Sequence, residues 1–148
     1  MKTIEAVRRT AVTIEADQTI QRAAELMESA NVGALAVVDH GALVGVVTDR
    51  DLVRRGIAGR VPLEARIDAL MSSPVVTIDA DADLHDAFAL LRANSVRRLA
   101  VTRGDELAGM LSVDDLLMDL SADLADLARP VTGEVLFGHH DSSVPASR

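Results

Sequence analysis

GVVTDRDL, residues 45–52, leaves an apolar stretch for a Thr and, three positions later, an Asp. GMLSVDDL, residues 109–116, repeats the pattern with Ser112 and Asp115. A hydroxyl followed at that distance by a carboxylate has the spacing of a helix capping box, whose two side chains satisfy exposed backbone amides. Each stretch therefore reads as a strand ending where a helix begins. The 64 residues that separate them decide the fold.

Shifted by 64, residues 12–52 lie on residues 76–116 without a gap, and 15 of the 41 positions are identical. VTIEAD (12–17) meets VTIDAD (76–81), and Leu35, Ala36 and Val37 meet Leu99, Ala100 and Val101. Such a match over an ungapped span marks a duplicated unit. Each copy parses the same way. A short β-branched strand (12–14; 75–78) leads through an Asp turn to a helix with Thr19 or Asp83 as N-cap. Ile20, Ala23, Ala24 and Met27 in one copy, and Leu84, Ala87, Phe88 and Leu91 in the other, fall at i, i+3, i+4 and i+7, one apolar helical face. Two short apolar runs follow as a hairpin, 35–38 with 43–47 and 99–102 with 107–111, turning near Gly41 and Gly104. A second helix opens at Thr48 or Ser112. The predicted class is α/β (α+β), each unit ordered strand, helix, strand, strand, helix. A unit this small has too little interior to stand alone, so the copies are expected to share a core as a pseudo-two-fold pair. The predicted organisation is a first repeat over 1–60, a second over 61–128 with an extended final helix, and a flexible tail over 129–148.

Composition narrows the function. Of the 148 residues 49% are apolar, yet only 1% are aromatic, so the core must be aliphatic. A net charge of −8 argues against a nucleic-acid partner, which requires a positive surface. No apolar run approaches the ~20 residues of a spanning helix, and no signal-peptide pattern opens the chain; a cytoplasmic location is expected. The chain has no cysteine, which excludes disulfides, thiolate nucleophiles and Cys-type zinc sites. Neither a nucleophile elbow nor a P-loop occurs, and adjacent acids such as Asp114 and Asp115 diverge by ~100° on a helix, so no enzyme is expected. His139 and His140 are adjacent and lack helical metal-pair spacing.

The T-x-x-D and S-x-x-D stretches also suit a ligand. A helix N-terminus fed by a glycine-containing strand offers amides and a positive dipole end to an anion. A carboxylate beside it can accept from both hydroxyls of a ribose. Arg50 is a cation in a first helical turn, where it is mildly unfavourable, and an anion would resolve that misfit. Arg54, Arg55, Arg60 and Arg66 read either as solvated helix-end charges or as polyphosphate contacts. Leu116, Leu117, Leu120, Leu124 and Leu127 share one face of the final helix, packed on their own domain or docked on a partner.

The duplicated unit closing on GVVTDRDL and GMLSVDDL, with its V-T-I opening strand and L-A-V hairpin strand, resembles a tandem pair of CBS domains, the module named after cystathionine β-synthase. The resemblance covers roughly residues 1–125. It implies a regulatory module that binds an adenosine-containing ligand (AMP, ADP, ATP, NAD or S-adenosylmethionine) between the repeats, requires no other cofactor and commonly dimerises through its helices. Carried over by position, the ligand residues are Thr48 and Asp51 in one copy and Ser112 and Asp115 in the other. Adenine is expected near Val12 and Val76. Phosphate is expected at Arg97 and Arg98 of VRRLAV, with Arg50 a further candidate; AMP or ATP is the favoured ligand. The first copy reads VGALAV, with Gly33 and Ala34 at the arginine positions, so the two clefts are expected to be unequal. The implied partners are a second copy and an effector protein, with no membrane. The competing reading is a structural dimerisation or interaction module whose capping boxes are only caps.

Overall fold

The computed structural model describes residues 1–142, Arg9 excepted, with side chains described as far as residue 129. Two compact units divide the chain, Met1–Ser112 and Val113–Arg148.

The first unit holds both sheets. In one, β1 (Thr13–Glu15) runs parallel to β2 (Ala34–Asp39), which pairs antiparallel with β3 (Ala42–Thr48). In the other, β4 (Thr77–Asp79), β5 (Arg98–Arg103) and β6 (Glu106–Ser112) repeat that order. Even the register is duplicated: Thr13 pairs with Ala36 and Thr77 with Ala100. Gly41 and Gly104 take φ of +84° and +63° in the hairpin turns, the left-handed region open to glycine. β1 and β4 begin one or two residues later than the sequence suggests, within the usual disagreement over element ends.

α1 (Ile20–Ala30) and α3 (Leu84–Asn94) cross from the first strand of each sheet to the second. Their predicted caps form: Thr19 Oγ1 accepts from the N–H of Arg22 at 3.0 Å, and Asp83 Oδ2 from that of His85 at 3.3 Å. After β3 the chain makes one α turn, Asp49–Asp51, and continues as a π-helix, Leu52–Ile57; the two together are α2.

The shared core takes a particular form. The segment entering each copy packs on the other copy. Ile67 and Leu70, from the stretch before β4, are buried with Ile14, Ile20, Met27 and Val37 of the first sheet. The backbone there is stitched by Ile67 N–H to Gln18 O (2.7 Å) and Asp68 N–H to Ala16 O (3.3 Å). Sixty-four residues earlier, Thr3 N–H donates to Ala82 O (2.8 Å) and Ile4 N–H to Ala80 O (3.0 Å), so residues 1–7 serve the second copy in the same way. The expected division at residue 60 thus separates the chain but not the packing.

The second unit is α4, Val113–Ser142. The helix passes residue 129, where the flexible tail was expected to start. A proline inside a helix forfeits a backbone bond and crowds the preceding turn, which is why the sequence reads as a stop at Pro130. Residues 143–148 of that expected tail lie outside the described residues.

Candidate functional site

β3 delivers Thr48 to the start of α2, and the capping box closes there. Asp51 N–H donates to Thr48 Oγ1 at 3.1 Å, and Thr48 N–H donates to Asp51 Oδ2 at 2.9 Å. The structural role of the motif is therefore real, and it leaves chemistry over. A hydroxyl that accepts one bond still carries a proton to donate, and a carboxylate held through Oδ2 still has Oδ1.

Both side chains face a cavity of about 190 Å³, and the second copy supplies its other wall through Val76, Arg97 and Arg98. Val46, Val75 and Val96 make the cavity aliphatic, and Ser72 and Pro74 close one side. Five of the nine predicted site residues thus converge: a hydroxyl, a carboxylate, a valine and two arginines. Which cleft Arg97 and Arg98 face was open in the sequence; they face the one that holds Thr48 and Asp51.

The remaining four sit elsewhere. Arg50 is exposed, its N–H donating to Asp49 Oδ1 at 2.7 Å, and it does not line this cavity. Val12 is half-buried just before β1, where its carbonyl accepts from Ala36 N–H at 2.9 Å, as Val76 accepts from Ala100 at 3.0 Å. Ser112 ends β6, and Asp115 lies in the first turn of α4.

The unequal treatment of the two copies has a local cause. Asp49 N–H donates to Gly33 O at 2.9 Å, and a Cβ on Gly33 would stand 3.2 Å from Asp49 Oδ2. A side chain at the position equivalent to Arg97 would crowd that carboxylate. Gly33 and Asp49, with Glu28, instead border an apolar groove of about 500 Å³ floored by α1 and α2. Val53, Ile57 and Leu63 are 56%, 68% and 48% exposed there.

Two of the four arginines between residues 54 and 66 are engaged in structure. Arg55 Nη1 donates to the carbonyl of Leu70 at 3.3 Å and to that of Met71 at 3.5 Å. Arg66 pairs with Asp68 at 2.8 Å, which raises its pKa through the hydrogen bond and the charge together. Sequence reasoning missed the segment from Met71 to Val75. Its one β-type link to β3 joins Ser72 and Val46 (N–H to O, 2.9 and 3.1 Å), and no motif announces that pairing. Among the described residues no group of three His, Asp or Glu could hold a metal, and no helix is long and apolar enough to cross a membrane.

Two repeated sheet units exchanging their entry segments, with a polar-lipped aliphatic cleft where the copies meet, define a paired-repeat binding module. The CBS domain family matches residues 3–57 and 67–122, and the chain belongs to that family. It is 40% identical over 99 residues to the uncharacterized protein YlbB of Bacillus subtilis, covering 66% of this chain and 67% of that protein. The CBS domain-containing protein YhcV of the same organism is 36% identical over 107 residues, 72% of this chain and 76% of its own. Among solved structures, the CBS domain protein PAE2072 from Pyrobaculum aerophilum, complexed with AMP, matches with a TM-score of 0.71 at 26% identity. That match covers 82% of this chain and 99% of the other. Paired CBS domains are regulatory, nucleotide-sensing modules, generally without catalysis.

Proposed function

We propose that the chain senses an adenine nucleotide in the cleft of Thr48, Asp51, Val76, Arg97 and Arg98 and passes its occupancy to an effector protein. The observation that carries this reading is the meeting, on one aliphatic cavity, of a hydroxyl and a carboxylate from one copy and two arginines from the other. Asp51 Oδ1 accepts from the ribose, Thr48 donates, Val76 and its neighbours cover the base, and the arginines hold phosphate. A cavity of about 190 Å³ is small beside the roughly 300 Å³ and more of pockets for drug-sized ligands, so AMP, the smallest of the candidate nucleotides, is its first proposed occupant. The AMP complex of the Pyrobaculum protein supports that choice. Val12, Ser112 and Asp115 are proposed for a second site without the arginine pair, and Arg50 for a contact at the first site's margin. A homodimer covering the groove of Val53, Ile57 and Leu63 is part of the same proposal, as is a cytoplasmic location.

The test is a melting screen over AMP, ADP, ATP, NAD and S-adenosylmethionine. A ligand at 100 times its dissociation constant adds about 2.7 kcal/mol to stability and should raise Tm clearly. If no adenosine compound at millimolar concentration moves Tm, the chain is the structural dimerisation module instead.

A further inference from the structure

One wall of the cleft is held from outside it. Ser72 and Pro74 close one side of the cavity, and the chain reaches that wall through Leu70 and Met71, just after a short 3-10 turn, Ile67–Ala69. Arg55 takes both carbonyls on the way. Its Nη1 donates to Leu70 O at 3.3 Å and to Met71 O at 3.5 Å. One residue later Ser72 and Val46 exchange two backbone bonds, and Val46 itself lines the cavity. Gly56 tightens the same junction. It is buried, and a Cβ there would stand 3.1 Å from Leu70 Cδ1, so a bare backbone lets α2 approach the segment closely. Both residues belong to the π-helical part of α2, where Ala58 N–H reaches five residues back to Val53 O at 2.9 Å. Such turns are rare and recur at functional sites.

We propose that Arg55 is a positioning residue for nucleotide binding. It does not line the cavity. By holding two carbonyls of the entry segment it seats Ser72 on β3, and so fixes the wall that Ser72 and Pro74 present to the ligand. α2 thus acts on the ligand twice, directly through Thr48 and Asp51 and indirectly through Arg55. The duplication does not repeat the device. Sixty-four residues on from Arg55 and Gly56 stand Asp119 and Leu120. An ionised carboxylate has no proton to give a carbonyl, and leucine offers no bare backbone. The clamp belongs to the cleft that also holds Arg97 and Arg98. Its bearing on the ligand rests on the nucleotide reading of that cleft; its hold on the wall does not.

Arg55→Met keeps the apolar stem and removes the donors. Both bonds come from one nitrogen, so the ammonium of Arg55→Lys can replace them. Hydrogen exchange in the ligand-free full chain, read amide by amide by NMR, tests the clamp, and calorimetric titration with AMP tests the positioning. In Arg55→Met the Ser72 and Val46 amides should exchange about fivefold faster, while the Ile67 amide, bonded to Gln18 O, changes less than twofold. AMP should bind Arg55→Met about fivefold more weakly, and Arg55→Lys should recover most of both losses. Unchanged exchange at Ser72 would overturn the clamp. An equal rise at Ile67 would make Arg55 a general stabiliser and overturn it too. Faster exchange at Ser72 with undiminished AMP affinity, or a lysine variant no better than methionine, would overturn the positioning role. If the parent chain itself binds no AMP, the nucleotide reading falls and takes the positioning role with it, whereas the exchange rates still decide the clamp.

Discussion

Gly45 lies directly under Met71: a Cβ added to Gly45 would come within 2.8 Å of Met71 Cγ and 3.0 Å of the backbone oxygen of Ser72. Sixty-four residues on, Gly109 stands in the same relation to Val7, whose Cγ1 would be 2.6 Å from such a Cβ. The glycine of each G-h-x-[TS] stretch is thus the floor on which the other copy's entry segment rests. Overpacking of this kind costs about 1–3 kcal/mol. Gly45→Ala and Gly109→Ala should each lower the urea midpoint accordingly. A midpoint unchanged in both would mean that the entry segments do not press on these strands.

The same relationship marks what the sequence could and could not tell. Residues 12–52 and 76–116 announced their common fold through identities that sit at core and turn positions, such as Leu35 and Leu99. The entry segments repeat just as faithfully in space, yet MKTIEAV and ARIDALM share no residue at the 64 shift. Their conserved feature is a pattern of backbone bonds, which side-chain identity does not encode. The site divides similarly. Thr48 and Asp51 were legible because a cap needs those residue types at that spacing. Ser72 and Pro74 were not, because their place depends on one backbone bridge.

Ile67 tests the exchange directly. It is fully buried in the core of the first copy although it precedes β4 of the second. Ile67→Ala should cost about 2–5 kcal/mol, as for other large-to-small changes at a filled core position. A loss under 1 kcal/mol in chemical denaturation would show the segment to be only loosely applied.

Asp51 separates cap from ligand. Asn at this position keeps an oxygen for the N–H of Thr48 but surrenders the charge that accepts from a ribose. Asp51→Asn should melt close to the parent in the absence of nucleotide and bind AMP about tenfold more weakly, in keeping with the ~1.5–3 kcal/mol of a hydrogen bond to a charged group. Asp51→Ala should lose affinity and also about 1 kcal/mol of stability. Calorimetric titration of both variants decides the matter. Full AMP affinity in Asp51→Asn would reduce the motif to a cap.

Arg97 and Arg98 make the sharpest claim, because Gly33 and Ala34 give the first copy nothing comparable. Phosphate held by guanidinium forms charge-assisted bonds, among the stronger polar contacts available to a surface cleft. Such contacts weaken as salt rises, since the Debye length shortens from about 10 Å at 0.1 M to 3 Å at 1 M. Replacing both arginines by alanine should therefore weaken AMP and ATP by at least tenfold at this site and flatten the salt dependence that remains. Adenosine carries no phosphate and depends on Asp51, Thr48 and the valines, so its affinity should change by less than threefold. The comparison has its own control for folding. If adenosine and ATP weaken together, and ligand-free melting falls with them, the two arginines support the β5 edge of the cleft and the phosphate is held by other groups.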